Sequence, residues 1–406
     1  MLLLVLITAA AFSVEMTLEK AIATAVENNL DIRMADIDIA ISRYDIFKSL
    51  SSFLPTFDID YTKINTDPPS MTMPPELNNL DLTLSVPIFT GMARFFGTTA
   101  SLKTGKLYRQ KKNADLLNIE FQTKVSFFTL LFLKERIEIE KQAVKVAEDE
   151  HRIMEAQYKK GEIPKPVLTA QKVNLEAKKY ALRESENSYT DAKEKFKSFL
   201  KMEESIDPVG QLSEAVRDHD RGALLSAVED SSNIQMMKTQ LKLLKDLKWI
   251  SLAPMMPIVA YSTVWSHTAM DFSWEASDWT RSNAQYLIVS IPVFSGYSAL
   301  FDFKKSSLEV KKAKLNLEKT KDALKTQLNS ALLDADNIKA TLALLKENYA
   351  MAEDNYSMTK EMYEKGEMSY TDLEKAQLLL NDTRLAFIGT LLKKEIADAT
   401  IEYLTN

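Results

Sequence analysis

Few residues of this chain combine the types and the spacing that chemistry at a protein site requires. Its three histidines are His151, His219 and His267. Only His219 has carboxylates beside it, in the triplet Asp218-His219-Asp220, which offers ligands to a metal ion. The same triplet fits a hydrated turn before a helix that starts near Gly222. Because an enzyme needs polar groups that converge in a concave site, this scatter predicts no catalytic centre, no metal site and no cofactor.

Other reactive patterns are equally sparse. The chain has no cysteine, which excludes disulfides, thiolate catalysis and Cys-ligated metals. The two closest glycines, Gly91 and Gly97, are six residues apart, so loops that cradle phosphates are missing. The 17 methionines offer thioether ligands for copper or silver, although methionine usually fills gaps in a packed core. The sequence therefore predicts a protein that is not an enzyme.

The charge balance argues against nucleic acid as a partner. The formal net charge is -6, whereas phosphate binding needs an excess of Lys and Arg on one face. Basic and acidic residues instead alternate along the chain, as they do on solvated helix faces.

The elements that hold these residues must be long. Only 9 Gly and 12 Pro occur in 406 residues, so the chain has few places to turn. Residues 1–13 are apolar and end in small residues, which is typical of a signal peptide; a buried N-terminal helix is the alternative. No later run of 18 apolar residues occurs, so we expect any membrane crossing to use strands.

The chain is a tandem repeat. The phrase SVPIFTG at residues 85–91 returns as SIPVFSG at residues 290–296, which is 205 residues later. The other landmarks at this offset are Tyr158 with Tyr363, Gly161 with Gly366, and Glu162 with Glu367. A duplication of this size predicts two copies of one structural unit, residues 14–210 and residues 211–406.

Each copy contains a heptad pattern. Between Leu324 and Tyr363, small and apolar residues recur in alternating steps of four and three, which predicts a helix with one continuous packing seam. A rougher version of the stripe occurs 205 residues earlier, where more polar residues interrupt it.

The heptad helices are predicted to form hairpins. Each long helix meets a glycine, Gly161 or Gly366, and is followed by a second amphipathic helix. The predicted hairpins cover about residues 92–203 and 297–404. The helices alone also fit a soluble coiled coil.

The predicted strands argue against a plain coiled coil. They cover about residues 54–65, 80–89, 257–267 and 284–294. In the first two, apolar residues alternate with polar ones that include Asp58, Asp60 and Asp81, which is the pattern of a transmembrane barrel. Because a barrel needs at least about eight strands, we expect subunits to share one, and three copies of four strands would supply twelve.

A doubled series of short motifs carries a family resemblance. The motifs are TLEKAI at residues 17–22, AVENN at residues 25–29, Phe53-Leu54-Pro55, both Pro-x-Phe-x-Gly phrases, Tyr158-x-x-Gly161 with Val167-Leu168-x-Ala170-Gln171, and Tyr363-x-x-Gly366 with Asp372-Leu373-x-x-Ala376-Gln377. In this order, they resemble the TolC-type outer membrane efflux proteins over nearly the whole chain.

The resemblance implies both a fold and a function. The fold would be mainly α with a small β part: a homotrimer whose antiparallel helical hairpins form an α-barrel across the periplasm and whose strands form a twelve-stranded barrel in outer membrane lipid. The function would be that of a passive exit duct in a tripartite efflux or type I secretion system, docked to a periplasmic adaptor protein and an inner-membrane pump. The alternative, from another class, is a soluble periplasmic coiled-coil scaffold or chaperone without a barrel.

The resemblance also implies site residues. The tips that dock the adaptor would hold Tyr158, Gly161, Glu162, Tyr363, Gly366 and Glu367. The strand-to-helix junctions would hold Pro87, Phe89, Gly91, Pro292, Phe294 and Gly296. Asp372 matches a family acidic residue that narrows the tip, and Lys375 stands where some members have another Asp. We expect these two residues to form the gate, by carboxylate repulsion around the axis or by pairing; the alternative for Asp372 is a solvated residue at a helix start.

Overall fold

The structure is a computed structural model that describes residues 14–67, 75–270, 272–294 and 296–406. The predicted signal peptide, residues 1–13, lies outside the described residues. The helices within these ranges are α1 (Leu18–Asn28), α2 (Leu30–Ser51), α3 (Ala93–Lys159), α4 (Lys165–Leu200), α5 (Arg221–Val228), α6 (Ser232–Ile250), α7 (Ser298–Glu364) and α8 (Tyr370–Thr405). The strands are β1 (Val14–Met16), β2 (Thr56–Asn65), β3 (Glu76–Thr90), β4 (Ile206–Pro208), β5 (Ile258–Ala269) and β6 (Thr280–Ser290).

The order of elements repeats along the chain. Helices α3 and α7 each have 67 residues, and the helices that follow them, α4 and α8, each have 36. At 1.5 Å per residue, each of the two longer helices is about 100 Å long. The mainly helical fold with long hairpins and four longer strands, predicted from the sequence, is confirmed.

The predicted heptad seam of α7 is confirmed by burial. All of its positions between Leu324 and Tyr363 are buried or half-buried, while most residues between them are exposed. The buried members are Leu324, Leu328, Leu342, Ala352 and Thr359. Helix α3 is buried over a wider face than α7, because its neighbours include residues of α4 and of α8. This second contact explains why its heptad stripe is less regular.

The chain divides into two compact units, each built from separate segments. Among the described residues, unit 1 contains those up to 33, those of 113–232 and those of 321–406, and unit 2 contains those of 34–112 and 233–320. In unit 1, β1 pairs in parallel with β4. Its largest core cluster combines Met16 of β1 and Ile206 of β4 with Phe127 and Leu130 of α3 and Phe196 of α4.

Unit 2 contains an antiparallel sheet in the order β2-β3-β5-β6. Its register places Asp58, Asp60 and Asp81 on one face together with serines and threonines of β3 and β5, and Asp60 lies directly opposite Asp81. Leu82 and Trp265, which are also paired, lie on the other face. Strand β2 is exposed along its whole length and β6 along nearly all of it, because they are the edges of the sheet.

One described helix, α3, is long and apolar enough to cross a membrane by length and composition alone. Its most apolar stretch has a mean hydropathy of 1.2 over 18 residues, although the sequence was expected to contain no such helix. The core helix of a soluble protein passes the same test. Helix α3 supplies Phe127, Leu130 and Leu131 to the core of unit 1, and 28% of its most apolar stretch is buried.

Candidate functional site

The tip of the first hairpin is a tight turn after α3. Gly161 has a φ of +78°, a backbone conformation that residues with a Cβ rarely adopt. Its N–H donates to the carbonyl of Tyr158 at 2.9 Å, and the N–H of Glu162 donates to the carbonyl of Gln157 at 2.9 Å. These two bonds form a Schellman motif, which satisfies the last carbonyls of a helix and reverses the chain.

The tip of the second hairpin has the same geometry. Gly366 has a φ of +77°, and its N–H donates to the carbonyl of Tyr363 at 2.9 Å. The N–H of Glu367 donates to the carbonyl of Met362, also at 2.9 Å. The two tips are thus equivalent turns, and each presents an exposed glutamate.

Asp372 lies in the first turn of α8 and is exposed. Ser369 is the N-cap, and its hydroxyl donates to the Asp372 carboxylate at 2.5 Å. This hydrogen bond, with a smaller effect of the Lys375 charge, lowers the pKa of Asp372 below its ordinary value. Among the described ion pairs within 4.0 Å there is none between Asp372 and Lys375, so the single chain does not show the predicted pairing. The contacts of Asp372 within the chain are those of a helix-start residue.

The two strand-to-helix junctions differ. Pro87 and Phe89 flank a register shift in β3, where a residue without an N–H is tolerated inside a sheet. Gly91 follows with a φ of +59°, and a Cβ there would lie 2.7 Å from the Met256 Cβ and 2.8 Å from the Ala253 carbonyl oxygen.

The second junction lies outside the sheet. Strand β6 ends at Ser290, so Pro292 and Phe294 follow it and do not belong to it. Phe294 packs edge-on against Tyr297, with ring centroids 5.8 Å apart. Gly296 has a φ of +75°, and a Cβ there would meet nothing within 4 Å. The repeated motif therefore serves a close approach at Gly91 and a backbone turn alone at Gly296.

A buried polar cluster joins the two hairpins, and sequence reasoning missed it. It contains Glu150 of α3, Gln171 of α4 and Tyr370 of α8. The Tyr370 hydroxyl oxygen lies 2.8 Å from Glu150 Oε2 and 2.7 Å from Gln171 Oε1. Glu150 is 7% exposed and Gln171 is 3% exposed. Burial raises the pKa of the Glu150 carboxyl, and burial with the hydrogen bond to Glu150 raises the pKa of the Tyr370 hydroxyl.

Further side chains join the hairpins beside this cluster. The Asn174 amide of α4 donates to the Glu374 carboxylate of α8 at 2.6 Å. Arg384 of α8 donates to Glu135 of α3 at 2.7 Å and to the amide oxygen of Gln142 at 3.1 Å. A groove of about 220 Å³ lies between the three helices, and Lys375 is among its lining residues. The structure thus brings Lys375 close to the buried cluster.

Each residue of the Asp218-His219-Asp220 triplet has a separate partner in unit 1. The Asp218 carboxylate accepts from Lys339 at 2.6 Å. His219 Nε2 lies 3.2 Å from the Asp398 carboxylate. The Asp220 carboxylate caps helix α5 by accepting from the N–H of Gly222 at 2.9 Å. The triplet is thus a capped turn before a helix, which was one of its two interpretations.

Comparison with solved structures defines the class of fold. The chain superposes on CusC with a TM-score of 0.83 at 13% identity, covering 98% of this chain and 93% of that one. The CmeC outer membrane channel of Campylobacter jejuni gives 0.82 at 17% identity, with 96% and 85% covered. The outer membrane protein VceC of Vibrio cholerae gives 0.81 at 14% identity, with 96% and 95% covered. At these identities the similarity shows a shared fold, which is that of channel proteins.

The sequence assigns the family. The model of the outer membrane efflux protein family matches residues 21–200 and 223–406, so the chain belongs to this family. The resemblance seen in the doubled motifs is confirmed. No curated protein matches the sequence at a significant level.

Proposed function

We propose that this protein is a passive exit duct in the outer membrane, formed by three copies of the chain. The open sheet of unit 2 carries the proposal, because in its strands β2 and β3 the polar and apolar residues lie on opposite faces, which suits a wall between water and lipid. Among the described residues, each edge strand is paired on one side only, and a membrane-spanning sheet cannot leave the backbone groups of its outer edges without partners. Three four-stranded sheets would close a barrel of twelve strands.

Exposed apolar seams on the edge helices support ring closure. Helix α2 leads into edge strand β2, and its residues Met34, Ile37, Ile41 and Tyr44 are each more than half exposed. Helix α7 follows edge strand β6, and its residues Phe301, Leu308 and Leu315 are also more than half exposed. Because the two seams are different surfaces of one chain, their pairing between copies is heterologous and produces a ring when the rotation between neighbouring copies closes.

The charges of the two edge helices are complementary. Residues 34–51 carry two basic and three acidic side chains, a net charge of -1. Residues 298–320 carry six basic and three acidic side chains, a net charge of +3. Opposite net charges favour the approach of one copy's α2 to the α7 of the next.

We place the docking site for a periplasmic adaptor and its inner-membrane pump at the two hairpin tips. The turns at Gly161 and Gly366 present matched ends with exposed Glu162 and Glu367. Two equivalent tips per chain offer a partner a repeated surface. The helical part would lie in the periplasm and the sheet in the outer membrane.

The proposed gate lies close to these tips. Asp372 is exposed at the start of α8, and among the described residues its charge is stabilised by the hydrogen bond from Ser369 and the nearby charge of Lys375. Around a threefold axis, the three copies of this carboxylate would repel one another and narrow the passage for anions. The cluster of Glu150, Gln171 and Tyr370 would hold the hairpins together behind the gate.

Planar bilayer conductance of the detergent-purified protein, with crosslinking to count subunits, tests the duct. Stepwise channels from a trimer are the expected result. A soluble species that does not insert would favour the periplasmic scaffold and contradict the proposal. An inserted trimer that does not conduct would indicate a closed tip, and the Asp372→Ala variant examines this case.

The Asp372→Ala variant tests the gate. Removing a ring of carboxylates should raise single-channel conductance and weaken cation preference. Ser369→Ala is the matched control, because it removes the hydroxyl that caps the helix and hydrogen-bonds to Asp372 but keeps the carboxylate. Unchanged conductance in Asp372→Ala would exclude this residue from the gate. Equal effects of both variants would assign the change to fraying of α8.

A further inference from the structure

The protons around the Tyr370 hydroxyl can be counted from its contacts. Its oxygen lies within hydrogen-bond distance of two acceptor oxygens, Glu150 Oε2 at 2.8 Å and Gln171 Oε1 at 2.7 Å. A tyrosine hydroxyl carries one proton and can donate to only one of them. The second contact needs a proton from another source, since two oxygens at this distance without a proton between them repel.

The orientation of the Gln171 amide leaves one source. Gln171 Nε2 faces the carbonyl oxygen of Ala147 at 3.5 Å and Glu150 Oε2 at 3.3 Å. Reversing the amide would place its oxygen against both acceptors, so its oxygen is the atom that faces Tyr370. The Tyr370 proton then goes to Gln171, and the proton between Tyr370 and Glu150 must belong to the carboxyl group.

The cluster of Glu150, Gln171 and Tyr370 joins the two hairpins, and we call this connection the tie. We propose that Glu150 is a protonated carboxylic acid while the tie is formed and that ionisation of Glu150 breaks the tie. In the acid form, Glu150 donates to Tyr370, Tyr370 donates to Gln171, and every short contact holds one proton. This proposal rests on the proposed function in one respect, because it supplies the regulation of the proposed tip gate.

A second observation supports the neutral form. Glu150 Oε1 is buried and has no hydrogen-bond partner among the described residues. Burying the carbonyl oxygen of a neutral acid without a hydrogen-bond partner costs much less free energy than burying one oxygen of a charged carboxylate without a partner. Burial also raises the pKa of the Glu150 carboxyl, in the direction that the proton count requires.

Titratable groups from four helices lie near Glu150. They are Asp149 and His151 of α3, Lys178 of α4, Tyr356 and Tyr363 of α7, and Tyr370, Glu374 and Lys375 of α8. The carboxylates of Asp149 and Glu374 oppose ionisation of Glu150. Lys178 and Lys375 line the adjoining groove.

The sign of the pH dependence follows. Because the pKa of Glu150 is raised in the tied state, the tie contributes fully in acid and is lost as the pH rises through that raised pKa. A single proton changes the ratio of tied to released hairpins by at most about tenfold per pH unit in this window. Acid should therefore close the hairpin region, and a rise in pH should loosen it.

Infrared spectroscopy of the purified full-length protein tests the protonation directly. The wild type should show a carboxylic acid C=O band that disappears as the pH rises, and the Glu150→Gln variant should lack this band. The control is Glu374→Gln, which removes the neighbouring carboxylate and should keep the band. A wild type whose infrared spectrum equals that of Glu150→Gln across the range would overturn the proposal.

Single-channel recording across the same pH range tests the regulation. The open fraction of the wild type should rise with pH by up to about tenfold per unit while Glu150 titrates, and Glu150→Gln should remove this component because its amide donates at every pH. If the infrared band titrates but the open fraction does not depend on pH, Glu150 is a protonated acid but its ionisation does not release the hairpins, and the proposed regulation is wrong. An absent channel with a titrating band would instead count against the proposed duct.

Discussion

The Tyr370 hydroxyl of α8 lies within 3 Å of side chains from two other helices, Glu150 of α3 and Gln171 of α4, and both partners are buried. Such a cluster stabilises a structure only while each member has its partner. Removing the single hydroxyl leaves Glu150 and Gln171 together in a buried space with one proton fewer. The loss of the hydroxyl should therefore weaken the contact between the two hairpins.

We expect Tyr370→Phe to destabilise the protein by about 1–3 kcal/mol, because it leaves buried polar groups unsatisfied. The measurement is the thermal unfolding midpoint in detergent at acidic pH, where the tie is complete. Tyr363→Phe is the matched control, since the Tyr363 ring packs edge-on against Tyr370 at 6.5 Å but its hydroxyl makes no hydrogen bond among the described residues. Equal midpoints for the two variants would contradict the prediction.

Sequence reasoning at the residue scale found turns and missed contacts. Gly161 and Gly366 could be predicted because a Schellman turn is local and needs a glycine a few residues past its last carbonyls. The buried cluster could not, since Glu150 and Tyr370 are 220 residues apart and neither is an unusual residue in a helix. One signal was available: Gln171 ends the motif after the first turn, and Gln377 ends the corresponding motif after the second turn.

Glycines at the element ends do two different jobs, and this difference is measurable. At Gly366 a Cβ would meet nothing within 4 Å, so only the positive φ opposes a side chain. At Gly91 a Cβ would also collide with Met256 and Ala253.

We therefore expect Gly366→Ala to lower stability by about 1–2 kcal/mol and Gly91→Ala to lower it clearly more. Thermal unfolding of both variants beside Gly97→Ala checks the order, because Gly97 is a helical position where a Cβ meets nothing within 4 Å. Gly97→Ala should be neutral or stabilising. If Gly91→Ala lowers the stability no more than Gly366→Ala does, Met256 and Ala253 must move to make room for the added Cβ.

The strands show what a periodic pattern predicts well and what it does not. The alternation in β2 and β3 placed their three aspartates on one face, and the register agrees. The predicted strand at 284–294 is offset, since β6 runs from Thr280 to Ser290. Its apolar residues occur on both faces, so periodicity could not fix its ends, and Pro292 comes after the last residue of the ladder.

At the scale of the whole molecule, the two edges of unit 2 differ in sequence. An isologous dimer would place each seam against its own copy, whereas a ring places the α2 seam against the α7 seam of the next chain. The absence of cysteine lets this difference be tested with introduced thiols.

We expect the pair Ile41→Cys with Leu308→Cys, or the same Ile41→Cys with Phe301→Cys or Leu315→Cys, to form covalent dimers and trimers on mild oxidation. Either cysteine alone should give monomers, because a residue in a ring does not meet its own copy. Denaturing gel electrophoresis counts the species. Efficient dimer formation by Ile41→Cys alone would indicate a twofold interface, and failure of all three pairs would argue against the seam contact.

Unit 1 also constrains the order in which the chain folds. Its first strand, β1, pairs with β4 at a separation of 192 residues, and the backbone oxygen of Asn406 accepts from the N–H of Ser232 at 2.8 Å. Native contacts of such high sequence separation form slowly, because the loops between them must close first. A nascent chain emerging from its N-terminus cannot complete this unit until α8 is present. During synthesis, helix α3 therefore lacks its contacts with α8 until α8 has emerged, and this stage, more than the final stability, is where exposed apolar seams become a hazard.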